Sequence, residues 1–254
     1  MLAFTLICGS AFSTFGQGGR PSNDLLGNGL SISGGLGHFA IRDEYISDEK
    51  YSGSLPYFEA TWLRGDDTSA YRLGFEYRSS SEVRNYNVTA GIAEASLNLD
   101  YLNYVGKFSF IGRDVFAYLG PSGEIYIYYR QQNIANGGIA LFDAYSFALF
   151  FSGAVNSTLV MPVRPGLFAE LSGELDLVSF GGRLPNLYNG AASIVKFVSL
   201  LSGARGSSQL LLRYDMNGSL SISGGYRFEI CQSASWNYLI SASDNIVVIV
   251  TYRL

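Results

Sequence analysis

The residues of this chain that could do chemistry are a single histidine and a set of acids and arginines. His38 is the only histidine in 254 residues. An imidazole acts as a general acid or base when a partner group holds it in reach of the substrate. The surrounding HFAIRDE matches no hydrolase motif. We therefore predict that His38 points outward near one end of a strand, and we predict no catalytic residue.

Other chemistry-bearing patterns are missing from the sequence. It contains no phosphate-binding loop, nucleotide fingerprint or zinc spacing, so we expect no cofactor and no metal. Asp66 and Asp67 fall in the short stretch GDDTS, where aspartate typically bonds to the backbone of its own turn. Cys231 is the only cysteine outside the first 17 residues, which excludes an intramolecular disulfide once those are removed.

The charged residues alternate with apolar ones, as residues 71–78 (YRLGFEYR) show best. Tyr71, Leu73 and Phe75 share one parity, while the charged residues take the other. Strict alternation is the period-2 pattern of a β-strand with two unlike faces. The same pattern returns about ten times, with short turns and long loops alternating between the strands.

This repetition predicts an all-β fold, a transmembrane antiparallel up-and-down barrel of about ten strands with long loops on one side. An even number of strands leaves both chain termini on the same, periplasmic side. The strands are expected at 30–43, 55–64, 70–78, 94–105, 114–130, 142–163, 167–180, 207–215, 219–230 and 239–254.

Several stretches fit this pattern less simply. Phe39 and Ile41 break the polar parity of the first strand, which predicts a bulge or an early end there. The GPSG at 120–123 predicts a kink within a long strand rather than a break. The stretch 189–201 is expected to form an amphipathic helix or a loop over the barrel mouth.

Parity assigns side chains to the two faces of the wall. A ten-stranded barrel is narrow, so its interior is largely filled by side chains and buried acids should pair with arginines. The predicted lumen charge network is Glu59, Arg72, Glu76, Arg78, Asp100, Glu124, Arg130, Glu170, Glu174, Asp176, Arg213, Asp215 and Arg227. Glu229 shares their inward parity. The predicted lipid-facing residues are Phe58, Trp62, Tyr71, Leu73, Phe75, Leu171, Leu175 and Leu212.

Composition and the N-terminus agree with this class. Charged residues make up 15% of the chain, which is low for a soluble domain. Aromatic residues make up another 15%, which is high. The net charge of −4 argues against a nucleic-acid partner. Residues 1–17 are expected to be a signal peptide, residues 18–29 a periplasmic lead-in and residues 30–254 the barrel.

The chain resembles the outer-membrane β-barrel proteins of Gram-negative bacteria. The resemblance rests on the signal ending FGQ, the GPSG within a Tyr-rich strand and the terminal VIVTYRL. It implies a location in the cell outer membrane, contact with lipid and lipopolysaccharide, and recognition of the last strand by the barrel-assembly machinery. The family usually ends in an aromatic residue, whereas this chain ends in Leu254.

Three functions follow from these expectations. The first is a non-enzymatic barrel, narrow or plugged, that serves as a small-solute channel or as a structural or surface-interaction protein. The second is a barrel enzyme acting on lipid or peptide at the outer rim, with His38 as its base. The third is a soluble periplasmic β-barrel that binds an apolar ligand, which requires the Leu- and Tyr-rich parity to point inward.

Overall fold

The computed structural model describes residue 26 and residues 28–43, 47–66, 68–85, 89–136, 139–183, 194–199, 203–233 and 239–254. The predicted signal peptide and nearly all of the lead-in lie outside these ranges. No helix in the described part of the chain has the length and apolarity needed to cross a membrane.

The described residues form one antiparallel sheet of twelve strands that closes on itself. The strands are β1 (Gly29–Asp43), β2 (Ser47–Ser54), β3 (Tyr57–Gly65), β4 (Ser69–Arg84), β5 (Thr89–Phe110), β6 (Arg113–Asn136), β7 (Ile139–Arg164), β8 (Leu167–Arg183), β9 (Ile194–Ser199), β10 (Gly203–Asn217), β11 (Leu220–Ser233) and β12 (Leu239–Arg253).

The twelve strands occupy ten positions around the barrel wall, which confirms the predicted fold class. β2 and β3 both pair with β1 in one continuous register, from Gly35 opposite Tyr57 to His38 opposite Ser54. β9 and β10 both pair with β8, one above the other. Pairing of β10 with β8 and of β12 with β1 closes the ring.

The two ends of the barrel differ. Four tight turns and both ends of the described wall lie at one end, which we call the turn end, and the strands run from there toward the opposite, loop end. At the turn end, the Asp66 carboxylate accepts hydrogen bonds from the backbone N–H groups of Thr68 and Ser69, each at 2.8 Å. Asn217 forms the same kind of turn before β11. Short turns of this kind face the periplasm in bacterial barrels.

The predicted loops at 44–54, 79–93 and 131–141 are wrong for much of their length. β2, β4, β5, β6 and β7 continue into these stretches, because their loop-end halves lack the strict alternation that marks the membrane-crossing halves. The expectation of a helix or mouth-covering loop at 189–201 is also wrong for residues 194–199, which form β9 in the wall.

The first strand does not bulge or end early at Phe39 and Ile41. β1 pairs with β12 without a register shift as far as Asp43, and both side chains point into the barrel. An irregularity does occur just beyond them, where the pairing of β1 with β2 shifts register between Arg42 and Asp43. The GPSG at 120–123 lies within an unbroken β6, with Pro121 opposite Val155 of β7. Pro121 is exposed on the outer face.

The described wall is interrupted between β4 and the position shared by β2 and β3, and we call this interruption the seam. β4 pairs with β3 as far as Arg78 opposite Tyr57, and with β2 at Arg84 opposite Ser52. Between these two pairs a cavity of about 610 Å³ opens in the wall, lined in part by Ser54, Pro56 and Ser79.

Candidate functional site in the barrel lumen

Alternation along the strands places the predicted charge network inside the barrel. None of its thirteen members is an exposed residue. By contrast, the eight residues predicted to face lipid are all exposed, with relative accessibilities between 38% and 58%. The soluble-barrel hypothesis requires the opposite arrangement, so the structure contradicts it.

The centre of the lumen holds a group of ion pairs that we call the ionic belt, made of Glu59, Glu76, Arg78, Arg227 and Glu229. The Arg78 guanidinium contacts Glu76 on its own strand and Glu229 of β11, the latter at 2.5 Å. Arg227 of β11 forms ion pairs in the opposite direction across the lumen, with Glu76 of β4 at 2.6 Å and Glu59 of β3 at 3.3 Å. The belt therefore ties distant parts of the wall together across the lumen.

Aromatic and hydroxyl groups support the belt. The Tyr57 ring lies beneath both guanidinium groups, 5.6 Å from Arg78 and 5.4 Å from Arg227. A hydroxyl of Ser243 accepts a further hydrogen bond from Arg78 at 3.2 Å. Buried charges are stable only when such partners satisfy them.

Further ion pairs lie nearer the turn end. Arg72 of β4 binds Asp100 of the neighbouring β5 at 2.6 Å. Arg253 binds Asp215 at 2.6 Å, bridging β12 and β10 over β11. Arg213 contacts Glu170 on the adjacent strand β8.

The loop-end half of the lumen is apolar, which the sequence analysis did not predict. A cluster that we call the apolar cap fills it, and its members are Phe39, Ile41, Tyr51, Leu55, Val83, Ala90, Ile92, Tyr128, Ala148, Phe150 and Leu239. Arg130 is fully buried within this half, with its guanidinium 4.3 Å from the Tyr51 ring centre.

Three inward charged residues were missed. Glu94 shares the parity of Asp100 on β5 and is buried, so extending the alternation would have found it. Arg205 lies in the stretch interpreted as a long loop, yet it crosses the lumen to contact Glu124 of β6. Arg253 sits at the end of the last strand, where only the pairing register reveals its contact with Asp215.

His38 is exposed on the outer face of β1, as its parity predicts. Its backbone N–H donates to the Asp244 carboxylate of β12 at 3.2 Å. The Tyr226 hydroxyl donates to the second oxygen of the same carboxylate at 3.3 Å. These three residues form a small polar cluster outside the barrel, away from the ionic belt.

The cavities within the described lumen are small. One of about 50 Å³ lies beside the ionic belt, and one of about 140 Å³ lies near the turn end. A third of about 50 Å³ lies against the apolar cap. Spaces of this size have room for ordered water molecules.

The chain is similar in structure to the outer-membrane protease OmpT from Escherichia coli, with a TM-score of 0.52, 7% identity, and coverage of 95% of this chain and 100% of that one. Neisserial surface protein A gives a TM-score of 0.38 at 10% identity, covering 89% and 97% of the two chains. The transport unit of the E. coli autotransporter AIDA-I gives 0.35 at 7% identity, covering 100% and 97%.

No protein-family model and no curated protein sequence matches the chain. The OmpT likeness therefore describes the fold and does not extend to an activity. Together with the exposed apolar outer face, it establishes that this chain has the fold of the Gram-negative outer-membrane β-barrels.

Proposed function

We propose that this chain is a non-enzymatic outer-membrane barrel with a closed lumen, which serves as a structural or surface-interaction protein rather than as a solute channel. The observation that carries this proposal is the double obstruction of the lumen. The ionic belt crosses it at mid-height, with Arg78 reaching Glu229. The apolar cap fills its loop-end half.

The two layers obstruct different solutes. Ions that enter from the turn end meet guanidinium and carboxylate groups that already satisfy one another. Any ion that passed them would lose its hydration among buried side chains such as Phe150 and Val83, and transfer of a charge into such surroundings is costly.

The height of the wall supports a role at the cell surface. β6 and β7 have 24 and 26 residues, whereas about 9–11 residues are enough to cross a bilayer. The surplus extends toward the loop end, beyond Tyr129 on β6. A rigid projecting wall of this kind could present its loop end to other cells or macromolecules, since binding residues are often held on loops above a rigid scaffold.

The partners follow from the same proposal. Membrane lipid and lipopolysaccharide would contact the exposed apolar face, and the barrel-assembly machinery would recognise β12. Small solutes would be partners only if the lumen opened. We do not expect nucleic acid as a partner, given the net charge of −4.

Planar-bilayer recording of the full chain, refolded in detergent, tests the proposal. We expect no discrete openings from the wild type. The matched control is a triple variant, Arg78→Ser with Tyr51→Ser and Phe150→Ser, which removes large side chains from both layers and should conduct. Steady openings of the wild-type protein would refute the closed lumen.

The second candidate function is an enzyme acting on lipid or peptide at the outer rim. Its candidate site is the cluster of His38, Asp244 and Tyr226, in which the Asp244 carboxylate accepts from the His38 backbone N–H and the Tyr226 hydroxyl. His38→Ala and Asp244→Asn variants, compared with the wild type in lipid- and peptide-hydrolysis assays on membranes, separate the two candidates. Activity that is lost in both variants would support the enzyme, and its absence or full retention would exclude this cluster as the site.

A further inference from the structure

We propose that the lumen wall formed by β6, β7 and β8 binds one Ca²⁺ ion through Glu124, Glu174, Asp176 and Asn156. The three carboxylates come from two strands that do not pair with each other, β6 and β8. Each offers an oxygen atom that lies within 4.8 Å of the other two.

The spacing of these oxygens suits a calcium ion. Ca²⁺ binds oxygen ligands at about 2.3–2.6 Å, so two ligands on opposite sides of one ion stand about 5 Å apart. Mg²⁺ needs a more compact octahedral shell at about 2.0–2.1 Å. Carboxylates and an amide carbonyl are the hard ligands that Ca²⁺ prefers.

Asn156 supplies an observation independent of the acids. It lies on β7 directly opposite Glu174 of β8, and its side chain is 2% exposed. Its Oδ1 atom has no hydrogen-bond partner, although buried polar atoms nearly always have one. Asn156 and Glu174 line the same small cavity, and their opposed positions on β7 and β8 place both side chains on the same face of the wall.

Other buried oxygen acceptors around the same cavity also lack hydrogen-bond partners. The Oδ1 atoms of Asn98 and Asp100, which also line it, lack a hydrogen-bond partner. Asp100 uses its second oxygen to bind Arg72. A set of buried oxygen acceptors without donors is what a cation or its bound waters would satisfy.

The charges around the cluster leave a negative excess. Glu124 is paired with Arg205, whereas no ion pair within the described ranges joins Glu174 or Asp176 to a cation. Asp176 instead accepts from the hydroxyls of Ser152 and Ser179. Glu174 has Arg72 and Arg227 in its surroundings but no direct ion pair with either. Carboxylates held inside the lumen without a paired cation are costly, and a divalent ion would neutralise both.

The ion has a route to the site. The cavity of about 140 Å³ near the turn end and the cavity of about 50 Å³ beside Glu174 share Glu59, Arg72, Ser172 and Gln209 in their linings. Periplasmic Ca²⁺ would therefore reach the cluster from the turn end without crossing the apolar cap. The site is thus compatible with a lumen closed to solutes.

Calorimetric titration of CaCl₂ into the full chain tests the proposal, with protein refolded in zwitterionic detergent free of lipopolysaccharide and stripped with EGTA. We expect one Ca²⁺ per chain, and a thermal unfolding temperature that rises with Ca²⁺ because the ion binds the folded state. Absence of both effects in the wild type would overturn the proposal.

Three variants locate the site. Glu174→Gln removes a charged ligand and should weaken Ca²⁺ binding about tenfold or more, since ligand charge sets affinity. Asn156→Asp adds a charge opposite Glu174 and should tighten binding, a gain that misfolding cannot mimic. Glu170→Gln is the matched control, because Glu170 is an inward acid on the same strand outside the cluster, and its Ca²⁺ affinity should stay at the wild-type value.

Two results would overturn the assignment to this cluster even if Ca²⁺ binds. One is equal weakening by Glu170→Gln and Glu174→Gln. The other is Asn156→Asp with unchanged or weaker affinity. If Glu174→Gln does not fold, as judged by heat-modifiable mobility on gels, the wild-type titration and Asn156→Asp decide the matter.

Discussion

Arg78 of β4 and Glu229 of β11 form an ion pair across the lumen, with Nη2 and Oε1 2.5 Å apart, although three positions of the wall separate their strands. The contact cannot arise from neighbouring strands in the sheet. It exists only after the barrel has closed, so it reports on the closed state.

The first prediction concerns this pair. Arg78→Met leaves Glu76 and Glu229 buried with less counter-charge, and removal of one partner from a buried pair costs about 3–5 kcal/mol. Arg78→Met with Glu229→Met should recover much of that loss. Equilibrium urea unfolding in lipid vesicles measures both.

Lys107→Met is the matched control for the pair. Lys107 binds Asp114 at 2.9 Å near the turn end, where the Asp114 side chain is exposed. Exposed pairs contribute about 0–1 kcal/mol, so this variant should change little. A double variant as unstable as the sum of its single variants would show that Arg78 and Glu229 do not interact.

The second prediction tests which face meets lipid. Leu171 lies on the outer face of β8, four residues from the first residue of the strand, Leu167. Leu171→Arg should cost about 2–4 kcal/mol if it lies near the bilayer midplane, and Phe180→Arg, further toward the loop end, about 0–1 kcal/mol. Refolding from urea into bilayers gives both values.

Leu171→Ala controls for the loss of apolar surface at the same position. Its cost should be clearly smaller than that of Leu171→Arg, because alanine brings no charge into hydrocarbon. Equal stability of the two arginine variants would contradict the proposed orientation of β8 in the membrane.

The third prediction concerns the two glycines of GPSG. A Cβ atom at Gly120 would overlap the backbone carbonyl of Tyr101 on β5, whereas one at Gly123 would meet only Ser152 O at 4.0 Å. Gly120→Ala should therefore destabilise the barrel, because the new methyl group would clash with a backbone carbonyl that is fixed in the neighbouring strand. Gly123→Ala should be close to neutral. Thermal unfolding of the two variants side by side checks the difference, and similar values would contradict it.

The fourth prediction is a pH dependence at the turn end. Hydrogen bonds from Thr68 and Ser69 lower the pKa of the Asp66 carboxyl below its usual value. Because the folded-state pKa is depressed, this stabilisation is present above the unfolded pKa of about 3.9. It is lost as the pH falls through the lower folded value.

An Asp66→Asn variant isolates this contribution. Its unfolding midpoint should differ from that of the wild type at pH 6 and converge on it as the pH falls below 3.9, about the unfolded pKa of aspartate. Urea unfolding at a series of pH values measures the difference. A difference that stayed constant down to the lowest pH would contradict an electrostatic role for Asp66.

The membrane-crossing half of the fold could be predicted from sequence, because lipid and lumen impose opposite demands on alternate residues. Leu73 is exposed on the outer face and Glu76 is buried in the lumen, so both the strand and the orientation of its side chains could be predicted. The loop-end half could not be predicted in the same way. In that half the outer face need not be apolar and the inner face need not be polar. An apolar residue that points into the lumen, such as Ile41, therefore breaks the expected alternation.

The candidate sites were harder to predict for another reason. Glu124, Glu174 and Asn156 lie far apart in sequence and meet only through the registers of β6 with β7 and of β7 with β8. A search for ligand spacing therefore passes over them. Arg205 was missed because the sequence before residue 207 lacks the strict alternation of a strand and was interpreted as a loop.

The seam between β4 and the β2–β3 strand limits how deeply the barrel can sit in the bilayer. Acyl chains cannot hydrate the backbone where a ladder is interrupted. The hydrocarbon must therefore end below the level of Pro56, where the outer face carries the exposed aromatic residues Phe58 and Tyr77, paired across β3 and β4. The wall above the seam, which carries the outward-facing Lys50 and Arg84, is then excluded from the hydrocarbon layer.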